Sequence, residues 1–192
     1  MKIKIVSSSQ NKPSSSFELS KLLKEYIENN IDNNFEIGIL NLVDLGLPFW
    51  DFSACSEQYS NGVEEEIDAF IFVVPDWNGM MPPILKNWFY FVGSAQFYHK
   101  PVLLCGVSSG EGGHYPLVEL RAFAAKNFRM NFIPENLIFK NVKELLSTKT
   151  IKENKLRERI NHCTRTLVAY SKALKSVRSE LGEPSSTIKY GI

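Results

Sequence analysis

Ala69-Phe70-Ile71-Phe72-Val73-Val74 is an unbroken apolar run of strand length that stops at Pro75. With no polar residue to mark a wet face, it reads as a strand buried on both faces, as in a parallel sheet covered by helices. The turn Pro75-Asp76-Trp77-Asn78-Gly79-Met80-Met81-Pro82 follows. Pro82-Pro83 then opens a helix, since proline is tolerated in a first turn. Ile84, Leu85, Trp88, Phe89 and Val92 share its inner face, and Gly93 ends it. Pro101 to Val107 repeats the pattern as another buried strand and stops at Ser108-Ser109-Gly110.

Working outward, Lys2 to Val6 is a short strand followed by the serine-rich stretch Ser7 to Ser16. Leu19, Leu22, Leu23, Tyr26 and Ile27 then recur at helical spacing. Ser15 with Glu18 has the form of a capping box, which starts this helix near Ser15. Asn29-Asn30 and Asp32-Asn33-Asn34 end it. Phe35 to Leu40 is a second strand, Asn41 to Gly62 a long irregular loop, and Glu64-Glu65-Glu66 a solvated helix face. Pro116 opens a third helix with Leu117, Leu120, Phe123 and Ala124 inward. Phe132-Ile133 and Leu137-Ile138-Phe139 form a last strand interrupted at Pro134. Strands and helices alternate, so the expected architecture is a doubly wound α/β sheet with right-handed crossovers. Five strands predict the order 2-1-3-4-5.

Leu156, Ile160, Cys163, Leu167, Tyr170, Leu174, Val177 and Leu181 are spaced alternately by four and three, a heptad stripe. A helix from Lys152 to Leu181 would be ~45 Å long at about 1.5 Å per residue. It is either an ordinary cover for the sheet or a helix whose far end packs on a second subunit. The chain reads as one domain over residues 1–192, with a core at 1–145, a long C-terminal helix at 150–181 and a loose tail at 182–192.

Composition excludes several classes. The 192 residues carry 22 Lys+Arg against 21 Asp+Glu, a net charge of +1. This leaves no strong positive field for nucleic acid, so no nucleic-acid partner is expected. An aromatic content of 12% argues against disorder. Three scattered cysteines make no disulfide framework, and Cys105 reads as core. There is no signal peptide and no apolar run near the ~20 residues that span a bilayer, so a cytoplasmic protein without a membrane partner is expected.

In an open α/β sheet, ligands bind beyond the carboxyl ends of the strands, where strand order reverses. Three loops land there. The first, Ser7 to Ser16, leads into a helix N-terminus, whose free N–H groups and dipole favour an anion. Hydroxyls of Ser8, Ser14, Ser15 and Ser16 add donors, which suits a monophosphate because neither G-x-x-x-x-G-K-[ST] nor G-x-G-x-x-G is present. The alternative is a plain serine-rich turn in which Glu18 uses the donors. In the second loop, Asn78 and Gly79 permit left-handed backbone and Trp77 offers an indole to a flat ligand or a pocket wall. The third, Ser108-Ser109-Gly110-Glu111-Gly112-Gly113-His114, exposes main-chain amides to a planar ring. His114 is a surface residue, a ligand contact or a proton donor. No Cys/His cluster has metal-ligand spacing, so no metal is expected.

The stretch Ile71 to Trp88 is similar to the pattern of the NADPH-dependent FMN reductases with a flavodoxin-like fold: an apolar strand, (T/S)-P-E-Y-N-G-S-(I/L)-P-G, then (V/L)-L-K-N. Lys100-Pro101-Val102-Leu103-Leu104 through Gly112-Gly113 resembles the family's K-P-V strand and glycine-rich loop. The resemblance covers about residues 2 to 140. It implies a flavodoxin-like fold, bound FMN, and NAD(P)H-dependent reduction of a small acceptor such as a quinone, free flavin, chromate or azo compound. It also implies a homodimer or homotetramer with the flavin at a subunit interface. The resemblance puts the phosphate on Ser8, Gln10, Ser14, Ser15 and Ser16. The ribityl chain and one side of the ring fall to Pro75, Asp76, Trp77, Asn78, Gly79 and Met80, and the other side of the ring to Ser108, Ser109, Gly110, Gly112 and Gly113. No side chain is assigned as a catalytic acid or base, because the cofactor carries the redox chemistry.

The departures from the pattern are specific. Gln10 stands for the family's arginine and gives up a charge-assisted bond of ~1.5–3 kcal/mol, for which nearby Lys12 is flexible enough to compensate. Ser16 stands for Asn, Asp76 for Glu, Trp77 for Tyr and Met80 for Ser. The alternative expectation is a member of the fold that has lost or weakened cofactor binding and serves as an oligomerising module, or a slow flavin electron carrier.

Overall fold

The computed structural model describes residues 1–31, 35–51, 59–63 and 66–182. Five strands form one parallel sheet: β1 (Lys2–Ser7), β2 (Glu36–Asn41), β3 (Ala69–Pro75), β4 (Pro101–Val107) and β5 (Asn131–Phe139). Their order is β2-β1-β3-β4-β5, the doubly wound, flavodoxin-like arrangement expected from the sequence. The helices are α1 (Ser15–Asn30), α2 (Pro83–Val92), α3 (Tyr115–Asn127), α4 (Val142–Ser147) and α5 (Asn154–Leu181).

β3 is buried at every position, and its side chains alternate between two cores. Ala69, Ile71 and Val73 pack with Leu19, Leu23, Ile160 and Leu167 from α1 and α5. Phe70, Phe72 and Val74 pack with Leu85, Trp88, Leu117 and Leu120 from α2 and α3. Two helical layers explain why the strand carries no polar alternation.

Several expectations need correction. The helix cap is Ser14, whose Oγ accepts from the Phe17 amide at 3.3 Å. Glu18 forms no box with Ser15; it pairs with Lys21 at 2.7 Å. β5 is one continuous strand: Val102 pairs with Phe132 and Leu104 with Asn136, so a bulge absorbs Pro134. An edge strand tolerates that missing donor. The long loop begins with a 3-10 turn over Leu42–Leu45 and is fastened to α2. There, Asn87 Nδ2 donates to Pro48 O and Asn87 Oδ1 accepts from Trp50 N, both at 2.8 Å. α4 was not anticipated.

The stripe on α5 drifts. Ile160, Cys163, Thr164 and Leu167 are fully buried, but farther along Ser171 takes the buried position, while Tyr170 and Leu181 turn outward. A straight helix has 3.6 residues per turn, so a 3.5-residue repeat rotates off a flat sheet. Residues 32–34, Cys55, Glu64, Glu65 and the tail beyond 182 lie outside the described residues.

Candidate functional site

The loops after β1, β3 and β4 come together at the carboxyl edge of the sheet because those strands are neighbours. β1 to β4 spans two strand spacings, about 10 Å. β3 lies between them, so its loop touches both others.

The first loop is tied to β3 at its start. The Ser8 amide donates to Val73 O at 3.1 Å, and the Ser8 hydroxyl donates to the same oxygen at 3.0 Å. Ser8 is therefore a buried anchor, and its hydroxyl faces the sheet. Ser9 Oγ accepts from the Asn11 amide at 3.2 Å. Gln10, Asn11, Lys12 and Pro13 form the exposed crest, and Ser14 and Ser16 are buried below it. Among the described residues, the amides of Ser9, Gln10, Lys12, Ser14, Ser15 and Ser16 make no hydrogen bond. Ser7 Oγ is buried without a partner at the end of β1. A run of unpaired donors opening a 16-residue helix is the donor set an oxyanion requires. Glu18 leaves these donors alone, which removes the objection that the sequence raised.

The second loop is a tight hairpin. Trp77 N donates to Met80 O at 3.1 Å and Met80 N to Trp77 O at 3.0 Å. Asn78 and Gly79 have φ of 54° and 78°, the left-handed pair that an Asn-Gly turn supplies. Asp76 closes the turn from within: its Oδ1 accepts from the Gly79 amide at 2.8 Å. Its Oδ2 accepts from the Gly113 amide at 2.8 Å, and its own amide donates to Val107 O at 2.8 Å. One carboxylate thus sets the turn and clasps the third loop to it. Behind the hairpin, Glu119 on α3 accepts from the Met81 amide at 2.8 Å and pairs with Lys86 on α2. Burial pushes the Glu119 carboxyl up, but the Lys86 hydrogen bond and the Met81 amide outweigh it and hold the group below its ordinary value.

The third loop folds back over the end of β4. A Cβ on Gly106 would sit 2.0 Å from Gly113 O, and one on Gly112 would sit 2.8 Å from Asp76 Oδ2. Ser108 Oγ accepts from the Gly110 amide at 3.1 Å. Glu111 turns away from the other loops, to Lys140 at 2.9 Å and Asn141 Nδ2 at 2.8 Å. These two bonds and the charge of Lys140 hold its carboxyl below the usual range. Ser109 and Gly110 are exposed, and the amides of Ser109, Glu111 and Gly112 make no hydrogen bond among the described residues. His114 is exposed and caps α3 only by its position, with no side-chain bond to the helix.

The structure therefore brings the second and third loops into direct contact through Asp76, and ties the first to the strand that carries the second, through Ser8 and Val73. Met80, Tyr115 and Val118 form an exposed apolar fringe on this rim. Sequence reasoning assigned no role to Asp44, Asn41, Glu119 or Asn87. Asn87 stands in the quoted Leu-Lys-Asn motif, whereas the others left no local signal.

A family model described as NADPH-dependent FMN reductase matches residues 1–144. An NADPH azoreductase from Bacillus sp. (strain OY1-2) is 28% identical over 120 residues, which are 60% of this chain and 63% of that relative. The chain therefore spans less than two thirds of that protein's length. Among solved structures, the flavoenzyme NAD(P)H:(acceptor) oxidoreductase FerB from Paracoccus denitrificans superposes with a TM-score of 0.66 at 18% identity, covering 91% of this chain and 97% of that one. An NADH:FMN oxidoreductase in its apo form superposes with a TM-score of 0.66 at 14% identity, covering 97% and 98%. At these identities, the likeness to both structures establishes the fold.

Proposed function

The chain belongs to the NADPH-dependent FMN reductase family, and on that premise we propose that it is an NAD(P)H-dependent oxidoreductase working through FMN held on the three-loop rim. The observation that carries this reading is the set of amides of Ser9, Gln10, Lys12, Ser14, Ser15 and Ser16 that, among the described residues, stand unpaired beside a buried, partnerless Ser7 hydroxyl. That donor set fits a terminal phosphate.

In this reading, the first-loop amides and the dipole of α1 bind the phosphate of FMN. Gln10, Ser14, Ser15 and Ser16 border it, with Ser8 acting as the anchor behind. The hairpin Pro75 to Met80 takes the middle of the ligand. Its shape is fixed by Asp76, which holds the turn without itself facing the ligand. Ser108, Ser109, Gly110, Gly112 and Gly113 offer a flat, side-chain-poor wall with unpaired amides to the polar edge of the ring. Bound there, FMN would supply the hydride-accepting and electron-passing chemistry between NAD(P)H and an acceptor. The protein orients both partners against one ring face and excludes water. It needs no nucleophile and no catalytic acid or base of its own.

The acceptor class is a quinone, free flavin, chromate or azo compound. A homodimer or homotetramer is supported by the exposed fringe of Met80, Tyr115 and Val118 beside the site and by Tyr170 and Leu181 on α5. The need for NAD(P)H and the free buried thiols of Cys105 and Cys163 fit a cytoplasmic setting. A second reading, a fold member with weakened cofactor affinity, is favoured by the neutral Gln10 and by Lys12 being engaged elsewhere.

Absorbance of the purified chain, FMN titration, and NADH or NADPH oxidation with a quinone or azo dye decide between these readings. Flavin binding with turnover supports the enzyme, and flavin binding without turnover supports a carrier. A chain that stays colourless after FMN is added has lost the cofactor.

A further inference from the structure

Lys12 is the only charged side chain in the first loop, residues 8–14. Its ammonium is engaged, lying 2.5 Å from Asp44 Oδ1. Asp44 belongs to the 3-10 turn after β2, and its Oδ2 accepts from Asn41 Nδ2 at 2.8 Å. Asn41 is buried and stands in register with Ser7 at the ends of β2 and β1. Among the described residues, the side-chain oxygen of Asn41 is buried without a partner, as is the Ser7 hydroxyl. A carboxylate fixed to a strand end thus holds the single cation of the loop whose amides stand unpaired.

We propose that Lys12 is the specificity-determining cation for the terminal phosphate of the flavin, and that Asp44 is a built-in competitor that holds Lys12 until a phosphate arrives. This rests on the FMN reading above and assigns within it how FMN is told from riboflavin. The Cα of Lys12 lies at most about 7.6 Å from that of Ser14, two residue spacings away. The flexible lysine stem can therefore carry its charge from Asp44 to an anion on the Ser14 to Ser16 amides. The pair is well exposed, with side-chain exposures of 60% and 52%, so water screens it and exchange is weakly opposed. A phosphate offers more charge and more acceptor oxygens than the carboxylate. Asn41 keeps Asp44 in place when the lysine leaves. Hydrogen bonds from Lys12 and Asn41 hold the Asp44 carboxyl below its ordinary range, so it remains a charged competitor at neutral pH. A ligand with no phosphate gives Lys12 no reason to move.

The test measures FMN and riboflavin dissociation constants by flavin fluorescence in wild type, Lys12→Gln, Asp44→Asn and the double variant. Lys12→Gln is expected to raise the FMN constant about tenfold and leave riboflavin unchanged. Asp44→Asn is expected to lower the FMN constant about threefold, and to do nothing in the Lys12→Gln background. Equal loss for both flavins, or weaker FMN binding in Asp44→Asn, overturns the proposal. A second titration uses inorganic phosphate on the flavin-free chain, read by backbone amide NMR of Ser14, Ser15 and Ser16. Its midpoint should rise in Lys12→Gln and fall in Asp44→Asn. If wild type responds to phosphate in this way but binds no FMN, the functional reading fails and the Lys12 assignment stands. If FMN binds and Lys12→Gln alters neither titration, the Lys12 assignment fails and the functional reading stands. A wild type that binds neither ligand defeats both.

Discussion

Asp76→Ala removes two acceptors at once. The carboxylate receives the Gly79 amide on one oxygen and the Gly113 amide on the other, each at 2.8 Å. A hydrogen bond to a charged group contributes ~1.5–3 kcal/mol when well desolvated. Asp76 is half-buried, so water screens each bond below that range to about 1 kcal/mol, about 2 kcal/mol together. That energy keeps the second and third loops in one arrangement. Without it, the loops must be ordered at the moment of binding, so the apparent FMN affinity falls by roughly 30-fold. The strands beneath are untouched, so the melting temperature should drop by no more than about 4–8 °C, the shift that this energy corresponds to in a domain of this size. Two measurements check this: FMN titration, and native-state hydrogen exchange at Gly79 and Gly113, whose amides should lose protection by a similar factor. Asp76→Asn keeps one acceptor and turns an NH2 toward the other amide, so it should lose protection at only one of the two glycines. If Asp76→Ala binds FMN within about twofold of wild type and both amides stay protected, the loops are held by something else and the reasoning fails.

Other expectations follow from the same contacts. Gly112→Ala places a Cβ 2.8 Å from Asp76 Oδ2; the short aspartate side chain cannot retreat far, so FMN titration of this variant should resemble that of Asp76→Ala. Glu119 has a folded carboxyl depressed below its ordinary value of 4.5. Its stabilisation is therefore present above that pH and is lost as pH falls through the folded value; urea midpoints between about pH 3 and pH 6 should fall more steeply in wild type than in Glu119→Gln. Burial raises the Cys163 thiol to about 11 and pushes Cys105 well above the usual thiol range. Iodoacetamide at about pH 8 should then leave both unlabelled in peptide mass spectra until the chain is unfolded.

What the sequence made legible is what short-range patterns encode. β3 could be read because its faces are both covered, and burial on both sides erases alternation. The Asn78-Gly79 pair could be read because few residues adopt φ above zero at low cost. α4 escaped notice because six residues with only Val142 buried are too few to show a period. Three consecutive serines can each cap a helix, so the choice of Ser14 over Ser15 depended on where the chain leaves β1. Pro134 looked like an interruption because, even on a strand expected at the edge, a sequence does not show where a bulge takes up a missing donor. Within the site, Asp76 was named for its place in a motif, but its reach to Gly113, 37 residues on, has no local signal. Neither has the grip of Asp44 on Lys12.

The connectivity of the rim determines which loop the site depends on most. The serine-rich loop carries the donors, yet most of them are main-chain amides. A main-chain amide survives substitution of its own side chain, so replacing Gln10, Ser15 or Ser16 one at a time leaves the donor row largely in place. That is also why a neutral residue can stand at the position of a family arginine: the positive potential comes from oriented N–H groups at a helix start. The hairpin after β3 is different. It contributes few unpaired donors, but it holds the third loop, which hangs from Asp76 through Gly113, whereas the first loop hangs from the strand itself, from Val73 through Ser8. Loosening the first loop disturbs that loop alone, whereas loosening the hairpin disturbs the hairpin and the third loop together. Sensitivity to substitution should therefore peak at Asp76 and Gly79, between the serine-rich and glycine-rich segments, even though those two segments look the more distinctive in sequence.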